Sequence, residues 1–377
     1  MAATERGARR GFAQRRKAMG FTQEALAAHL NVERSTVVRW EAGKCEPSAG
    51  LWPALASALS ISPDSLADLL SAGPMRVDSS DTTALRSFRT ADRKLGGAHL
   101  YARVVSYLHS DIAPRLFGGD CDTESRAILT AAAGLTEMAG WMAHDGGRDD
   151  RADNHFRRAL DLAELGQDRQ LVIHVLASMA HLAYHRSQPH EGVRYGRAAE
   201  KALAGAPGNP ELKARTSAML ARGFAHSQKP YETKKYLERA AEALEASHDE
   251  EPSTWVSHFD EGSLASEAAR CMQLLGLPAQ TQRYAERMIE LRPADRTRSR
   301  ALGNLLLVQS LVEQGQPEHA CAVANDVVAS TRSLGSFPVL QQLRELPSLL
   351  DLYKSTPTVK EFLADTDEAL RRRQWLA

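Results

Sequence analysis

The sequence has no net charge and few cysteines, and both features narrow the range of functions. Its 377 residues include 47 basic and 47 acidic side chains, so the net charge predicts no polyanionic partner. Its four cysteines lie far apart and form no CxxC pair. This spacing fits reduced thiols and argues against a disulfide framework or a zinc finger.

Long hydrophobic runs and catalytic motifs are also missing. No stretch of roughly eighteen or more apolar residues occurs, and the N-terminal sequence lacks the apolar core of a secretion signal. We therefore expect a cytoplasmic protein without membrane contact. The GxxxxGKS phosphate loop and the GxSxG elbow are absent as well. The sequence offers no catalytic residues and implies no cofactor, so we do not expect an enzyme.

Two short helices joined by a tight turn are predicted within residues 21–43. Thr22 is placed to cap the first helix with its hydroxyl. Asn31 stands where the chain must turn, and asparagine tolerates the left-handed conformation that such turns need. The apolar spacing predicts a second helix from about Arg34 to Glu41. Helices paired in this way can place the second one in the DNA major groove.

This segment resembles the phage-repressor (Cro-like, xenobiotic-response-element) helix-turn-helix family over about residues 6–72. The shared pattern comprises Thr22-Gln23-Glu24, Leu26-Ala27 and Arg39-Trp40-Glu41. The resemblance implies a small five-helix domain that binds a double-stranded DNA operator. Asn31 replaces the family's usual glycine, which the turn accommodates. The alternative is a helical hairpin inside an ordinary helical domain.

Side chains at the starts of the two helices are the expected DNA contacts. Gln23 is placed to meet a phosphate beside the backbone amides of the first helix. Arg34 can pair two donors with guanine, whereas Thr36 and Val38 suit a thymine methyl group. The expected DNA-binding set is Thr22, Gln23, Arg34, Ser35, Thr36, Val38, Arg39 and Lys44. Plain surface exposure is the alternative for each of them.

The distribution of charge favours the same end of the chain. Residues 1–45 hold nine basic and four acidic side chains, whereas the remaining residues hold 38 basic and 43 acidic ones. A basic segment beside a DNA-binding motif is typical of phosphate contact, although a solvated charged helix has the same composition.

The chain is too long for one compact core, and its composition predicts four parts. Residues 1–72 form the DNA-binding domain, and the turn-rich residues 73–83 form a linker. Residues 84–122 form a connecting helical segment, broken at Gly96-Gly97. Residues 123–377 form a solenoid with C-terminal capping helices, so that the fold class is all-α.

The solenoid is predicted from an internal period. His144, His185 and His226 are 41 residues apart, and the same step relates two further sets: Ala139, Ala180 and Ala221; and Leu162, Leu203 and Leu244. A proline stands at the predicted start of each second helix in four units: Pro189, Pro230, Pro278 and Pro317. About five helix pairs are expected between residues 123 and 334, followed by an atypical capping pair.

These units resemble degenerate tetratricopeptide repeats, which stack to form a concave surface. The resemblance implies a peptide, small-molecule or protein ligand in the repeat groove and a solenoid that mediates homodimerisation. The combination of domains also looks like the peptide-sensing regulators of Gram-positive bacteria. We therefore expect a transcription regulator. The alternative from another class is a protein-interaction scaffold with little specific DNA binding.

Three histidines on one predicted helix suggest a further alternative. His174, His181 and His185 lie at positions i, i+7 and i+11, and the last two have a spacing that can place two imidazoles on one metal ion. A metal-responsive sensor would use this stripe. A polar stripe on the concave surface, or ordinary surface histidines, explains the same spacing, so we expect no resident metal.

Lys44 gives a prediction that rests on the sequence alone. Because it lies beyond the end of the second helix, we expect it to neutralise a phosphate. Replacing Lys44 with alanine should weaken binding to all duplexes alike and reduce the slope of log affinity against log salt by about one unit. Salt titrations on several duplexes measure both effects. A changed base preference with an unchanged salt slope would contradict this role.

Overall fold

The computed structural model describes residues 10–41, 45, 47–48, 51–61, 66, 78–116, 122–205, 208–246 and 253–371. Every regular element in these ranges is helical, which confirms the all-α class. None of the helices within them is long and apolar enough to cross a membrane. The contacts divide the chain into two compact units, residues 1–79 and 80–377.

Four helices are described in the first unit. They are α1 (Arg10–Ala18), α2 (Gln23–His29), α3 (Arg34–Glu41) and α4 (Trp52–Ala58). Helix α3 has the predicted bounds, and α2 begins directly after its predicted cap, Thr22. The short apolar segment 66–70 is the sequence's candidate for the fifth helix of this domain; it lies outside the described residues apart from Leu66, which is buried.

The first unit has a core of its own. Trp40 and Val37 of α3 pack in one cluster with Leu26 and Leu30, as the apolar spacing predicts. Phe12 of α1 is fully buried in the same cluster. The indole of Trp40 is only 2% exposed, so it serves mainly to hold α3 against the other helices.

The second unit is built from a connecting helical segment, the repeats and two final helices. The connecting segment contains α5 (Asp78–Leu95), α6 (Tyr101–Tyr107), a π-helical turn (Leu108–Ile112) and α7 (Ala113–Leu116). The repeats contain α8 (Asp122–Asp145), α9 (Asp149–Leu165), α10 (Arg169–His185), α11 (Pro189–Leu203), α12 (Pro210–His226), α13 (Pro230–Glu245), α14 (Glu261–Leu274), α15 (Pro278–Leu291), α16 (Thr297–Glu313) and α17 (Pro317–Ser330). The last two helices are α18 (Phe337–Leu349) and α19 (Pro357–Arg371).

The predicted linker is wrong for residues 78–83, which form the first turns of α5. Asp81 is fully buried there and accepts hydrogen bonds from Arg115 Nη1 at 2.8 Å and from Tyr107 Oη at 2.7 Å. Polar residues such as those in DSSDTT are typical of linkers when they face water. Here a distant arginine and a tyrosine stabilise the carboxylate within the fold.

The five predicted repeats are confirmed as the pairs α8–α9, α10–α11, α12–α13, α14–α15 and α16–α17. The 41-residue period is the distance in sequence from the end of one repeat's first helix to the end of the next repeat's first helix. His185 and His226 are the last residues of α10 and α12. All four prolines begin the second helix of a pair. An N–H missing there costs no intrahelical hydrogen bond.

One turn geometry recurs in all five pairs. The second residue after the first helix has a positive φ, at Gly147, Ser187, Gln228, Gly276 and Gly315. The N–H of the next residue then donates back to the last turn of the helix, as Gln188 does to Ala183 O at 2.8 Å. These shared turns set the angle between the helices of each pair.

The first and fifth repeats meet through a partly buried ionic network, in which Asp145 is the buried member. Arg298 at the start of α16 donates to Asp145 Oδ2 at 2.8 Å and to both carboxylate oxygens of Asp92 at 3.0 and 2.8 Å. Asp145 also accepts from the Gly97 backbone N–H and from Ser336 Oγ, each at 2.6 Å. The positive charge of Arg298 therefore joins the connecting segment, the first repeat and the fifth repeat.

Close backbone packing accompanies this network. A Cβ at Gly96 would lie 2.3 Å from Gly335 O, and one at Gly147 would lie 2.7 Å from the Phe337 ring. Larger side chains at these glycines would force the segments apart. The repeats of the second unit are thus closed on themselves at their two ends.

We predict that Arg298→Met destabilises the protein by about 2–3 kcal/mol, because it keeps the aliphatic stem but leaves Asp92 and Asp145 without their cation. Urea unfolding followed by the helical circular dichroism signal measures this change. Arg287→Met is the control, since Arg287 pairs with Glu261 and Glu290 on the surface and its loss should change little. Equal midpoints for the Arg298 variant and the native protein would contradict the role of the network.

Candidate DNA-binding surface and helical-repeat interior

The turn between α2 and α3 has the predicted geometry. Thr22 Oγ1 accepts the Ala25 backbone N–H at 3.0 Å and thereby caps α2. Asn31 has a φ of 52°, the left-handed conformation expected from its place in the sequence. These two residues fix where α2 begins and where the chain reverses into α3.

Helix α3 separates an apolar face from a polar face. Val37 and Trp40 are buried, whereas Arg34, Ser35 and Arg39 are exposed. Val38 lies with the exposed residues at 38% exposure, which is unusual for a large apolar side chain. An exposed valine among arginines offers methyl groups for contact with thymine.

Arg34 lies in a small surface network with α2. Its Nε is 2.6 Å from Glu24 Oε1, and its Nη2 is 3.5 Å from Gln23 Oε1. The backbone N–H of Glu24 and, in smaller measure, the charge of Arg34 lower the pKa of this carboxyl. Because both partners are well exposed, the pair can open when a base competes for the guanidinium.

Gln23 is held in place by Glu41 and Arg16, which were not among the expected DNA contacts. Its Nε2 donates to Glu41 Oε2 at 2.6 Å, and Arg16 Nε donates to the other Glu41 oxygen at 2.7 Å. Arg16 is 4% exposed and also donates to the Phe21 carbonyl oxygen. Glu41 therefore links α1, α2 and α3 and orients Gln23.

The structure brings most of the predicted DNA-binding residues onto the exposed sides of α2 and α3. Thr36 is partly buried, and its Oγ1 is 3.5 Å from Arg39 Nη2. Thr22 is exposed, and its hydroxyl is engaged as a cap. Lys44 and Gly43 lie outside the described residues. Direct contact between the other residues and bases stays a prediction.

In the second unit, the first helices of the repeats carry buried polar side chains. Glu137 of α8 accepts hydrogen bonds from Trp141 Nε1 at 2.7 Å and from Ser178 Oγ at 2.8 Å. His174 is fully buried, with Nε2 only 3.1 Å from Glu137 Oε1. Burial by itself raises the pKa of Glu137, but His174, Ser178 and the charge of Arg89 together hold it at about 2.

A second group lies further along the same helices. His181 Nδ1 of α10 is 3.7 Å from Glu267 Oε1 of α14, and the other Glu267 oxygen is 3.5 Å from Arg222 Nη1 of α12. Burial lowers the pKa of His181 to about 3, more than its contact with Glu267 raises it. The imidazole is therefore neutral near pH 7.

The alternative of one metal site built from His174, His181 and His185 does not fit the contacts of these side chains. His174 faces Glu137, His181 faces Glu267, and His185 lies 3.6 Å from Asp149 Oδ2. Seven residues of helix separate the first two histidines by about 10 Å along the axis. A shared metal ion would need far shorter separations.

Among the described residues, the group whose donors converge is His144, Asp149 and His185, with ligand atoms within 4.8 Å of one another. His144 Nδ1 and Asp149 Oδ1 are 2.7 Å apart. Two imidazoles and a carboxylate suit zinc in chemical type. The hydrogen bond between His144 and Asp149 satisfies two of these groups without a metal.

The arginines of this interior were missed, although the repeats contain a signal for them. Counting back four residues from the end of each first helix gives Trp141, His181, Arg222, Arg270 and Gln309. The period relates His181 to Arg222 by the same 41 residues that relate the histidines. Aligning the repeats at their helix ends reveals this row of large polar and aromatic side chains.

Comparison with known proteins identifies the first unit. The family model described as helix-turn-helix matches residues 12–66, so this part of the chain is a helix-turn-helix domain, of the Cro-like type that the motif indicated. No curated protein sequence matches the chain significantly.

Two solved structures are similar over long alignments at low identity. The structure titled Bacillus thuringiensis PlcR in complex with the peptide PapR7 and DNA is 13% identical, with 78% of this chain and 98% of that chain covered and a TM-score of 0.37. The P58(IPK) TPR domain is 14% identical, with 97% and 99% covered and a TM-score of 0.21. Within the second unit, the recurring helix pairs themselves define a tetratricopeptide-like architecture.

We predict that Arg34→Ala weakens binding to the selected operator by about 1–3 kcal/mol and relaxes preference at one base position. Thr36→Ala should act in the same way but more mildly. Glu24→Gln is the matched control, because it frees Arg34 from its ion pair and should maintain or increase affinity. Selection from a random duplex pool, followed by titration, measures both properties. Full affinity and an unchanged sequence preference after Arg34→Ala would refute base reading by this residue.

Proposed function

We propose that the chain is a sequence-specific DNA-binding transcription regulator whose repeats bind an effector and mediate homodimerisation. The exposed face of α3 carries this proposal. Arg34, Ser35, Val38 and Arg39 are exposed together, while Val37 and Trp40 hold the opposite face in the core. A helix anchored on one side and rich in donors on the other suits the DNA major groove.

The interior of the repeats supports an effector-binding role. Buried polar side chains usually have hydrogen-bond partners, but among the described residues several buried nitrogen atoms have none, including Nε and Nη1 of Arg222 and Nε of Arg270. Such groups gain most from a ligand that supplies the missing partners. A peptide, a small molecule or a segment of a partner protein can provide them.

Dimerisation is proposed because one small helix-turn-helix module buries too little surface for tight specific binding. Paired modules read two half-sites at a fixed spacing. The repeats offer the larger surface for association. A ligand bound to them changes operator affinity only if it binds two arrangements of the protein unequally.

Selection of binding sequences from a random duplex pool by the full chain tests the central claim. We expect an enriched site with two-fold symmetry. The absence of any enriched sequence would leave the interaction-scaffold alternative in its place.

We further predict that residues 1–72 bind the selected site weakly as a monomer, whereas the full chain binds it tightly as a dimer. Sedimentation of both proteins gives their masses, and footprinting shows how many half-sites are occupied. A monomeric full chain that binds one asymmetric half-site no better than the fragment would remove the role of the repeats in dimerisation.

A further inference from the structure

Two arginines on neighbouring first helices act electrostatically on one carboxylate, that of Glu267. Arg222 lies on α12, and Arg270 lies on α14 together with Glu267. Arg222 Nη1 is 3.5 Å from Glu267 Oε2, which is ion-pair distance but forms no hydrogen bond. The two guanidinium groups are close enough for the charge of Arg222 to lower the pKa of Arg270, an effect smaller only than that of burial.

Several nitrogen atoms of Arg222, Arg270 and the neighbouring His226 have no hydrogen-bond partner. Arg222 is 7% exposed, and both its Nε and its Nη1 have no hydrogen-bond partner; Arg270 Nε has none either. His226 Nε2 is also unpartnered, and its ring stacks on Tyr184 at a centroid distance of 5.2 Å. The Tyr184 ring in turn lies 5.2 Å from Arg222 Cζ. Arg222 and His226 thus contribute three unused nitrogen atoms at the aromatic pair of Tyr184 and His226.

Arg215 lies on α12 together with Arg222, and its Nη2 atom has hydrogen-bond acceptors. Its Nη2 donates to Ser257 O at 2.9 Å, to Ser257 Oγ at 3.0 Å and to His258 O at 3.3 Å. Its guanidinium also packs over the Phe259 ring. Arg215 Nε has no hydrogen-bond partner, and neither has Arg270 Nε, so the contrast is with Arg222, whose Nε and Nη1 both lack one.

The charges of this group do not balance. Burial raises the pKa of Glu267, but His181, Arg222 and Arg270 together hold it at about 2, so the carboxylate is ionised. His181 is neutral, because burial lowers its pKa to about 3. Two positive charges and one negative charge leave room for one further anion.

We propose that Arg222 and Arg270 bind the carboxylate of the effector, with the aromatic pair of Tyr184 and His226 beside it. This proposal rests on the effector-binding function given above and names the chemistry of the ligand. A carboxylate matches the planar donor fork of a guanidinium and supplies the single negative charge that the group lacks. The free C-terminus of a peptide and a small organic acid share this chemistry.

Binding of defined probes to the full chain tests the proposal. The probes are phenylacetate and its neutral isostere phenylacetamide, the tripeptide Gly-Gly-Phe as free acid and as C-terminal amide, and inorganic phosphate, all at one ionic strength. Tryptophan fluorescence gives the affinities, since the Trp141 ring lies 5.0 Å from that of His181. We expect each acid to bind at least about tenfold more tightly than its amide, as charge-assisted hydrogen bonds require.

The two sources of the carboxylate are distinguished by the order of affinities. Tighter binding of the tripeptide acid identifies a peptide terminus, and tighter binding of phenylacetate identifies a small organic acid. Equal binding of acids and amides, or binding of phosphate alone, would overturn the proposal.

Matched variants separate ligand binding from a structural role. Arg222→Gln and Arg270→Gln should abolish the preference for acids while the thermal midpoint without ligand stays the same or rises, since each removes an uncompensated charge. Arg215→Gln should lower the midpoint but keep the preference. If both site variants lost as much thermal stability as Arg215→Gln, the arginines would be structural and the proposal wrong. Duplex selection by the same protein is scored separately, so failure of DNA binding is distinguishable from failure of this site.

Discussion

The pairing of Arg298 with Asp92 and Asp145 is the constraint on which the second unit depends. These three residues come from α16, α5 and α8, and up to 206 positions of sequence separate them. Burial lowers the pKa of Arg298, but the two carboxylates more than reverse this and raise it above the ordinary value for arginine. The guanidinium is thus charged at any pH at which the protein folds. A network of this kind is costly to break, because each lost partner leaves a charge in a poorly hydrated site.

The first helix of a repeat is more deeply buried than the second. In α10, buried residues lie on every side of the helix, whereas in α11 they are restricted to Gly192, Tyr195, Gly196 and Ala199. The polar residues His174 and Ser178 of α10 are fully or almost fully buried and contact Glu137 of the preceding repeat. Burial makes each of them costly unless it is partnered. Buried polar atoms without a partner, such as Nε of Arg222 and of Arg270, therefore indicate where a ligand could bind.

The sequence predicted the parts of this fold that local chemistry determines. Thr22 and Asn31 mark a cap and a turn because their side chains act on their own backbone. The prolines mark helix starts for a similar reason. The 41-residue period revealed the repeats because each unit uses the same turn.

What the sequence did not reveal depends on contacts between distant segments. Nothing in the residues around Asp145 indicates that Arg298 reaches it, and the start of α5 was hidden because Asp81 depends on Arg115 for its burial. The alternative of a metal site shared by His174, His181 and His185 does not fit the structure for a related reason. Its spacing placed three imidazoles on one helix, but carboxylates on other helices determine what each histidine contacts.

The same distinction applies to the DNA-binding surface. Arg34 and Val38 were identified from their place on α3, whereas Arg16 and Glu41 were not, since their role appears only when three helices pack together. Glu41 uses one oxygen for Arg16 in the core and the other for Gln23 at the surface. A carboxylate bound on both sides holds the side chain of Gln23 in one position, so the DNA contact proposed for this residue would cost less conformational entropy. Arg34 differs, because its partner Glu24 is exposed and exchangeable. Gln23 is therefore held rigidly, which suits a phosphate contact that positions the protein. Arg34 can change its partner, which suits a contact that reads a base.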